Sequence, residues 1–128
     1  MSVQLNHTIV WCRDQQRSAT FLAETLGLGP PSRFGPFLVV EVGNDVSLDF
    51  HETDGAVASQ HYAFLVAEEE FDEIFGRITA RGSDYWADPA MRRAGEINRH
   101  DGGRGVYFTD PDGHLLEILT RPYGSGAP

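Results

Sequence analysis

Hydrophobic and polar residues follow the same order twice along the chain. A first strand is predicted at Leu5–Trp11 (LNHTIVW), with His7 near its start, and a second at His61–Val66 (HYAFLV), whose histidine lies 54 positions later. A helix-like pattern follows each strand and ends at Gly27 in the first half and at Gly82 in the second, 55 positions apart. Landmarks that recur at one spacing indicate an internal repeat, so the chain is predicted to hold two similar modules.

Both predicted helices carry start or stop signals. Asp14 is a suitable N-cap for the first helix. The second is predicted at Glu68–Arg81, where glutamates at the start and arginines at the end suit the helix dipole. Apolar side chains recur there at i, i+3, i+4 and i+7 from Phe71, which predicts one buried stripe.

A hairpin is predicted to close each module, because strand-like runs flank turn residues. The hairpin strands are predicted at Phe37–Val42 and Val46–His51 in the first module, and at Gly105–Thr109 and His114–Thr120 in the second. A weak strand is expected before each hairpin, near 31–34 and 84–86. The fold class is therefore α+β, with two βαβββ modules at about 4–53 and about 60–122 in one domain of residues 1–128. An insertion between residues 88 and 104 and a flexible tail at 123–128 complete the prediction.

The composition of the chain excludes several classes of partner. The chain of 128 residues has ten arginines, no lysine and 19 acidic residues, for a net charge of −9. Such a surface repels phosphate backbones and anionic membranes, so no nucleic-acid or membrane partner is expected. No apolar run approaches the roughly 18 residues of a membrane span, and the start of the chain lacks the features of a signal peptide. With Cys12 as the single cysteine, a cytoplasmic location is predicted.

Three side chains on the predicted strands point to a metal site. Strand alternation places Glu117 on one face with Leu115 and Leu119, and an unpaired carboxylate buried among leucines costs several kcal/mol. His7 and His61 lie on similar faces of equivalent strands, and a metal ion held by all three would neutralise the charge. Two histidines and one carboxylate suit Fe(II), and the set would also hold Zn, Mn, Ni or Co.

Other interpretations of these residues stay open. A single histidine on an apolar face is commonly a hydrogen-bonded core residue, and Glu117 could pair with Arg99 or Arg104. Asp49 occupies the repeat position of Glu117 and is a weaker candidate ligand. Its strand face also carries Ser47, and a polar face is typical of contact with solvent.

The doubled pattern, His7, His61 and the closing run from Tyr107 to Glu117 (YFTDPDGHLLE) resemble the vicinal oxygen chelate superfamily over about residues 4–122. This superfamily includes glyoxalases, bleomycin-resistance proteins, fosfomycin-modifying enzymes and type I extradiol dioxygenases. The resemblance implies curved mixed sheets around a metal cavity, with His7, His61 and Glu117 as ligands. It also implies a homodimer, in which one chain's His7 could complete the site with another chain's His61 and Glu117.

The stretch from His100 through Tyr107 to Glu117 resembles more narrowly the extradiol ring-cleavage signature. That resemblance implies Fe(II) and catalytic roles for His100 and Tyr107 beside a catechol and oxygen. The alternative for residues 99–104 is a mobile polar loop. The substrate cavity is expected to include Trp11, Phe50 and Arg99.

The favoured hypothesis is therefore a metal-dependent, extradiol-type dioxygenase acting on a small molecule with two vicinal oxygens. A glyoxalase or isomerase, with Asp49 as fourth ligand or base, and a thiol transferase are alternatives within the same superfamily. A metal-free, bleomycin-resistance-type protein that binds a cationic drug is a further alternative, with which the acidic charge is compatible.

Overall fold

A computed structural model describes residues 2–126, which form seven strands, two α-helices and one short 3-10 helix. The chain divides after Ala58 into two compact units. The first unit contains β1 (His7–Cys12), α1 (Gln15–Leu26), β2 (Ser32–Phe34), β3 (Phe37–Glu41) and β4 (Ser47–Glu52). The second contains β5 (His61–Leu65), α2 (Glu68–Ala80), the 3-10 helix (His100–Gly102), β6 (Gly105–Thr109) and β7 (Leu115–Leu119).

The sheet of the first unit has the order β1-β4-β3-β2, with β1 parallel to β4 and the other neighbours antiparallel. Val10 lies opposite Phe50, and Leu38 lies on the other side of Phe50, so these buried side chains share one face. Helix α1 packs on β3 and β4, where the Gln15 side-chain amide donates to the Phe50 carbonyl at 2.9 Å. The opposite face is left for His7 and Asp49.

The sheet of the second unit has the order β5-β7-β6, with β7 in the centre, parallel to β5 and antiparallel to β6. Ala63 and Tyr107 lie directly opposite Glu117 on the two neighbouring strands, so all three share a face. Phe108 and Leu116 pair on the other face and are buried. The register therefore separates an apolar core face from a face that carries the candidate chemistry.

The predicted α+β class is confirmed, and the helix signals act as expected. Asp14 accepts a hydrogen bond from the Arg17 amide at 3.1 Å, and Gly27 ends α1 with a φ of 71° in the left-handed region. The weak strand predicted near 31–34 is β2. Near 84–86 only isolated bridges form, from Trp86 to Ala94 and Tyr107.

The end of the chain, predicted as a flexible tail at 123–128, makes hydrogen bonds in the structure as far as residue 126. The backbone amides of Gly124 and Gly126 donate to the two carboxylate oxygens of Asp101 at 3.1 and 3.3 Å. Tyr123 also reaches a buried side chain of β7, as described below. Long-range contacts therefore hold residues 123–126, and residues 127–128 lie outside the described part of the chain.

Neither helix within residues 2–126 combines the length and apolar character that a membrane crossing requires.

Candidate functional site

Glu117 is a buried carboxylate in the middle of the central strand β7. The residue is only 1% exposed, and its chain neighbours Leu116 and Ile118 are buried as well. Its position follows from strand alternation, which turns it away from the core face that those neighbours fill. A carboxylate so placed needs a cation or hydrogen-bond donors, because an uncompensated buried charge costs several kcal/mol.

His61 supplies the first contact. Its Nδ1 lies 3.0 Å from the Leu115 carbonyl oxygen, which can only accept, so Nδ1 carries the proton and donates. Its Nε2 lies 3.1 Å from Glu117 Oε1. A histidine whose Nδ1–H is fixed by a backbone carbonyl, with Nε2 beside a carboxylate, is typical of metal-binding histidines. The donor set of these two side chains therefore fits a divalent transition metal.

Two tyrosines surround the other carboxylate oxygen. The Tyr123 hydroxyl donates to Glu117 Oε2 and lies 2.8 Å from the Tyr107 hydroxyl. The Tyr107 ring stacks on His61 with centroids 5.9 Å apart, and the His100 ring faces Tyr123 edge-on at 6.2 Å. The structure therefore gathers His61, Glu117, Tyr107 and His100 in one cluster.

Tyr123 belongs to this cluster although the sequence analysis did not single it out. It lies six residues after Glu117, in the segment predicted to be a flexible tail. The one local signal was an aromatic side chain close behind the last strand. The contact with Asp101 that docks the segment joins residues 23 positions apart, which no local pattern shows.

Both phenol groups stay protonated at neutral pH. Burial raises the pKa of Tyr107 above its ordinary value of 10.0. Burial and the hydrogen bond to the Glu117 carboxylate raise the pKa of Tyr123 further. The two hydroxyls therefore act as hydrogen-bond donors beside the carboxylate.

His7 and Asp49 lie together in the first unit, in a concavity of about 460 Å³ that Arg33 also lines. The His7 Nδ1 is 2.7 Å from the Asn6 side-chain oxygen, which leaves Nε2 available as a ligand. Asp49 is 9% exposed and accepts from the Ser47 hydroxyl at 2.9 Å. The concavity thus holds one imidazole and one carboxylate.

The expectation that Phe50 lines the substrate cavity is wrong. Its side chain is 2% exposed, because alternation along β4 turns it to the core face while Asp49 faces the concavity. Trp11 is exposed and lies beside the His51 ring at 4.8 Å, and Arg99 is exposed next to the 3-10 helix.

No three His, Cys, Asp or Glu side chains within residues 2–126 are grouped so that they could hold a metal ion. His61 and Glu117 form a pair in the second unit, and His7 lies in the first.

Known proteins with similar sequences and structures include oxidases and a transferase. The solved structure of oxidase ChaP-H1 is 67% identical, with a TM-score of 0.95 over 96% of this chain and 99% of that one. Oxidase ChaP-H2 is 62% identical, with a TM-score of 0.96 over 99% and 100%. Glutathione transferase FosA of Serratia marcescens is 35% identical over 92% of this chain and 81% of its own length.

The profile of one protein family matches nearly the whole chain, over residues 4–118. Together with these relatives, the match shows that the chain belongs to the Glyoxalase/Bleomycin resistance protein/Dioxygenase superfamily.

Proposed function

We propose that the chain is a metal-dependent, oxygen-using enzyme of the extradiol-dioxygenase type, acting on a small molecule with two adjacent oxygens. The observation that carries this proposal is the pair of His61 Nε2 and the buried Glu117 Oε1, 3.1 Å apart. The likeness to oxidase ChaP-H1 at 67% identity supports oxygen chemistry over the other reactions of the superfamily.

We propose His7, His61 and Glu117 as the ligands, with His7 contributed by a second copy of the chain. Support comes from the strand faces that carry the histidines, which stay open within each unit. Ile9 and Trp11 on β1 are 39% and 44% exposed, and Leu65 on β5 is 62% exposed. Exposed apolar side chains on these two strand faces favour a partner surface, so a homodimer is part of the proposal. Asp49 is the weaker, fourth candidate ligand.

When bound, Fe(II) would supply Lewis acidity and open positions for the substrate and oxygen, and Zn, Mn, Ni and Co fit the same donors. The chain's own residues would then hold the substrate. The protonated Tyr107 hydroxyl would turn from Tyr123 to donate to a substrate oxygen beside Glu117, while Tyr123 keeps its hydrogen bond to the carboxylate. His100, whose ring faces Tyr123, is placed to donate or accept a proton at the edge of the site.

The proposal is tested with protein stripped of metal and reloaded anaerobically with Fe(II). Catechol and air-saturated buffer are then added, while an electrode follows oxygen and absorbance follows the yellow ring-cleavage product. We expect oxygen uptake that requires Fe(II) and is lost in Glu117→Gln. Glu24→Gln, which removes an exposed carboxylate on α1, is the matched control and should retain activity.

Two results would overturn the proposal. Failure of the wild-type chain to bind any of these metals would remove the metal site. Bound Fe(II) without oxygen uptake on catechol or on substituted catechols would remove the dioxygenase assignment.

A thiol transferase is the second candidate, favoured by the 35% identity with glutathione transferase FosA. In that reaction the glutathione sulfur would bond to an epoxide carbon, the carbon–oxygen bond would break, and the new alkoxide would take a proton. Loss of free thiol from glutathione mixed with the epoxide fosfomycin and metal-loaded protein, measured with a thiol reagent, would support this candidate. Unchanged thiol would exclude it for that substrate.

A further inference from the structure

We propose that Tyr123 is a positioning residue for Glu117, delivered by a C-terminal segment (residues 121–126) that docks on Asp101. The inference rests on the proposed function, because it takes Glu117 to be a metal ligand. It adds a residue outside the strands and assigns the end of the chain to the site.

Tyr107, Tyr123 and Glu117 form a chain of hydrogen bonds in which each donor can be assigned. The single hydroxyl proton of Tyr123 is given to Glu117 Oε2, so the Tyr107 hydroxyl must donate in the 2.8 Å contact between the two tyrosines. His61 occupies the other oxygen, Oε1. Because Tyr123 holds Oε2, rotation of the carboxylate is restricted and Oε1 stays on the side of the His61 nitrogen.

The C-terminal segment is built into the second unit by specific contacts. Besides the two amide hydrogen bonds to Asp101, Arg121 Nη2 donates to the Ser125 carbonyl at 3.1 Å. Asp101 has a φ of 58°, a left-handed conformation that costs a non-glycine residue free energy. A side chain at Gly126 would clash with the backbone carbonyl of Asp101.

These contacts place the Tyr123 hydroxyl against Glu117 while the rest of the residue remains 55% exposed. A residue that is more than half exposed contributes little to core packing, and the two hydrogen bonds of Tyr123 are both made by its hydroxyl. Partners that orient a metal ligand typically change metal affinity by about 10–100-fold when removed.

The experiment compares metal affinity in the full-length wild type and Tyr123→Phe. Zn(II) or Co(II) is titrated in competition with a chromophoric chelator, and the visible absorption of the Co(II)-loaded proteins is recorded. We expect Tyr123→Phe to bind both metals about 10–100-fold more weakly, with a changed Co(II) spectrum. Phenylalanine keeps the ring beside His100, so a purely structural role of the ring would leave both readouts unchanged.

Two further variants complete the design. Tyr85→Phe removes a hydroxyl from a ring that packs on Phe75, away from Glu117, and should match the wild type. Asp101→Ala removes both acceptors of the segment and should weaken metal binding in the same direction as Tyr123→Phe. Thermal unfolding of each metal-free protein checks that the variants are folded.

The outcomes separate the two proposals. A wild-type chain that binds no metal would overturn the proposed function and this inference with it. Wild-type binding together with equal affinity and an equal Co(II) spectrum in Tyr123→Phe would overturn the role of Tyr123 alone. An equal loss in Tyr85→Phe would also overturn it, because the effect would not be specific to the hydroxyl at Glu117.

Discussion

The burial of the Glu117 carboxylate has a cost to the stability of the fold. Its carboxylate lies at 1% exposure on the central strand, and its described partners are a half-exposed histidine and a tyrosine hydroxyl. The hydrogen bond from Tyr123 only partly replaces the hydration that the charge loses on burial, because a His61 Nε2 without a proton cannot donate to the carboxylate. This buried position is the one that we propose for a metal ligand.

The substitution Glu117→Gln tests this trade-off in the presence of a chelator. The glutamine carbonyl can accept from Tyr123, and its amide can donate to the His61 Nε2, so both contacts survive without the charge. We expect the free energy of unfolding of the metal-free variant to be unchanged or higher by up to about 2 kcal/mol. Added Zn(II) should stabilise the wild type and leave the variant unaffected.

Chemical denaturation with and without chelator measures both effects, and Glu24→Gln controls for the loss of one negative charge. A loss of more than about 1 kcal/mol in metal-free Glu117→Gln would mean that the fold itself requires the carboxylate.

Sequence patterns located some of these residues and not others, for a physical reason. His61 and Glu117 are visible because strand alternation places polar side chains among apolar ones at fixed spacing. No sequence pattern identifies Tyr123, because its position depends on hydrogen bonds from residues 124 and 126 to Asp101. Contacts between distant loops leave no periodic signal.

The turn between β6 and β7 is determined by local residues. Asp110 Oδ1 accepts from the amides of Asp112 and His114, both at 2.9 Å, and Gly113 supplies a φ of 86°. Burial raises the pKa of Asp110 above its ordinary value of 3.8. The native state therefore binds the proton more tightly than the unfolded chain does, and this contribution to stability is present at low pH and lost as pH rises through the folded-state pKa.

The substitution Asp110→Asn should keep the turn and remove the charge. At pH 7 we expect a free energy of unfolding equal to or above that of the wild type, because the amide oxygen retains both acceptor roles. Asp110→Ala should lose about 1–2 kcal/mol. As pH falls toward about 4, the wild type should approach Asp110→Asn, since a protonated carboxyl group is also neutral.

Urea denaturation at several pH values measures these differences, with the exposed Asp54→Asn as control. Equal destabilisation by asparagine and alanine at every pH would show that the charge, and not the acceptor, holds the turn.

Elements with local signals were predicted well, and elements that depend on packing were not. The N-cap Asp14 and the stop at Gly27 fix α1 from nearby residues alone. Residues 84–86 form only isolated bridges. Trp86 pairs both with Tyr107 of β6 and with Ala94 in the insertion, and the sequence carries no local signal for either contact. Phe50 was wrongly expected in the cavity. It follows Asp49 on the same strand, so strand alternation turns its side chain to the core.

At the scale of the whole molecule, each of the two units has a sheet with one face buried in an apolar core and the other face turned away from it. In the first unit the open face carries His7 and Asp49 in a concavity, and in the second it carries His61 and Glu117. Sequence alone predicted the repeated architecture, because both modules contain a strand, a helix and a closing pair of strands, although the weak strand forms only in the first. It could not predict how copies of the chain combine, since that depends on the shapes of assembled surfaces.

The proposed joining of these faces by a metal is best tested by anomalous X-ray diffraction from crystals of the Zn(II)-loaded wild-type protein. Data on both sides of the zinc absorption edge locate the ion without reference to the protein geometry. We expect one peak per chain at coordination distance from His61 Nε2, a Glu117 oxygen and a His7 nitrogen, the last supplied by a second copy. A zinc peak that touches neither His61 nor Glu117, or crystals that contain no zinc after full loading, would show that this chain does not use these residues to bind metal.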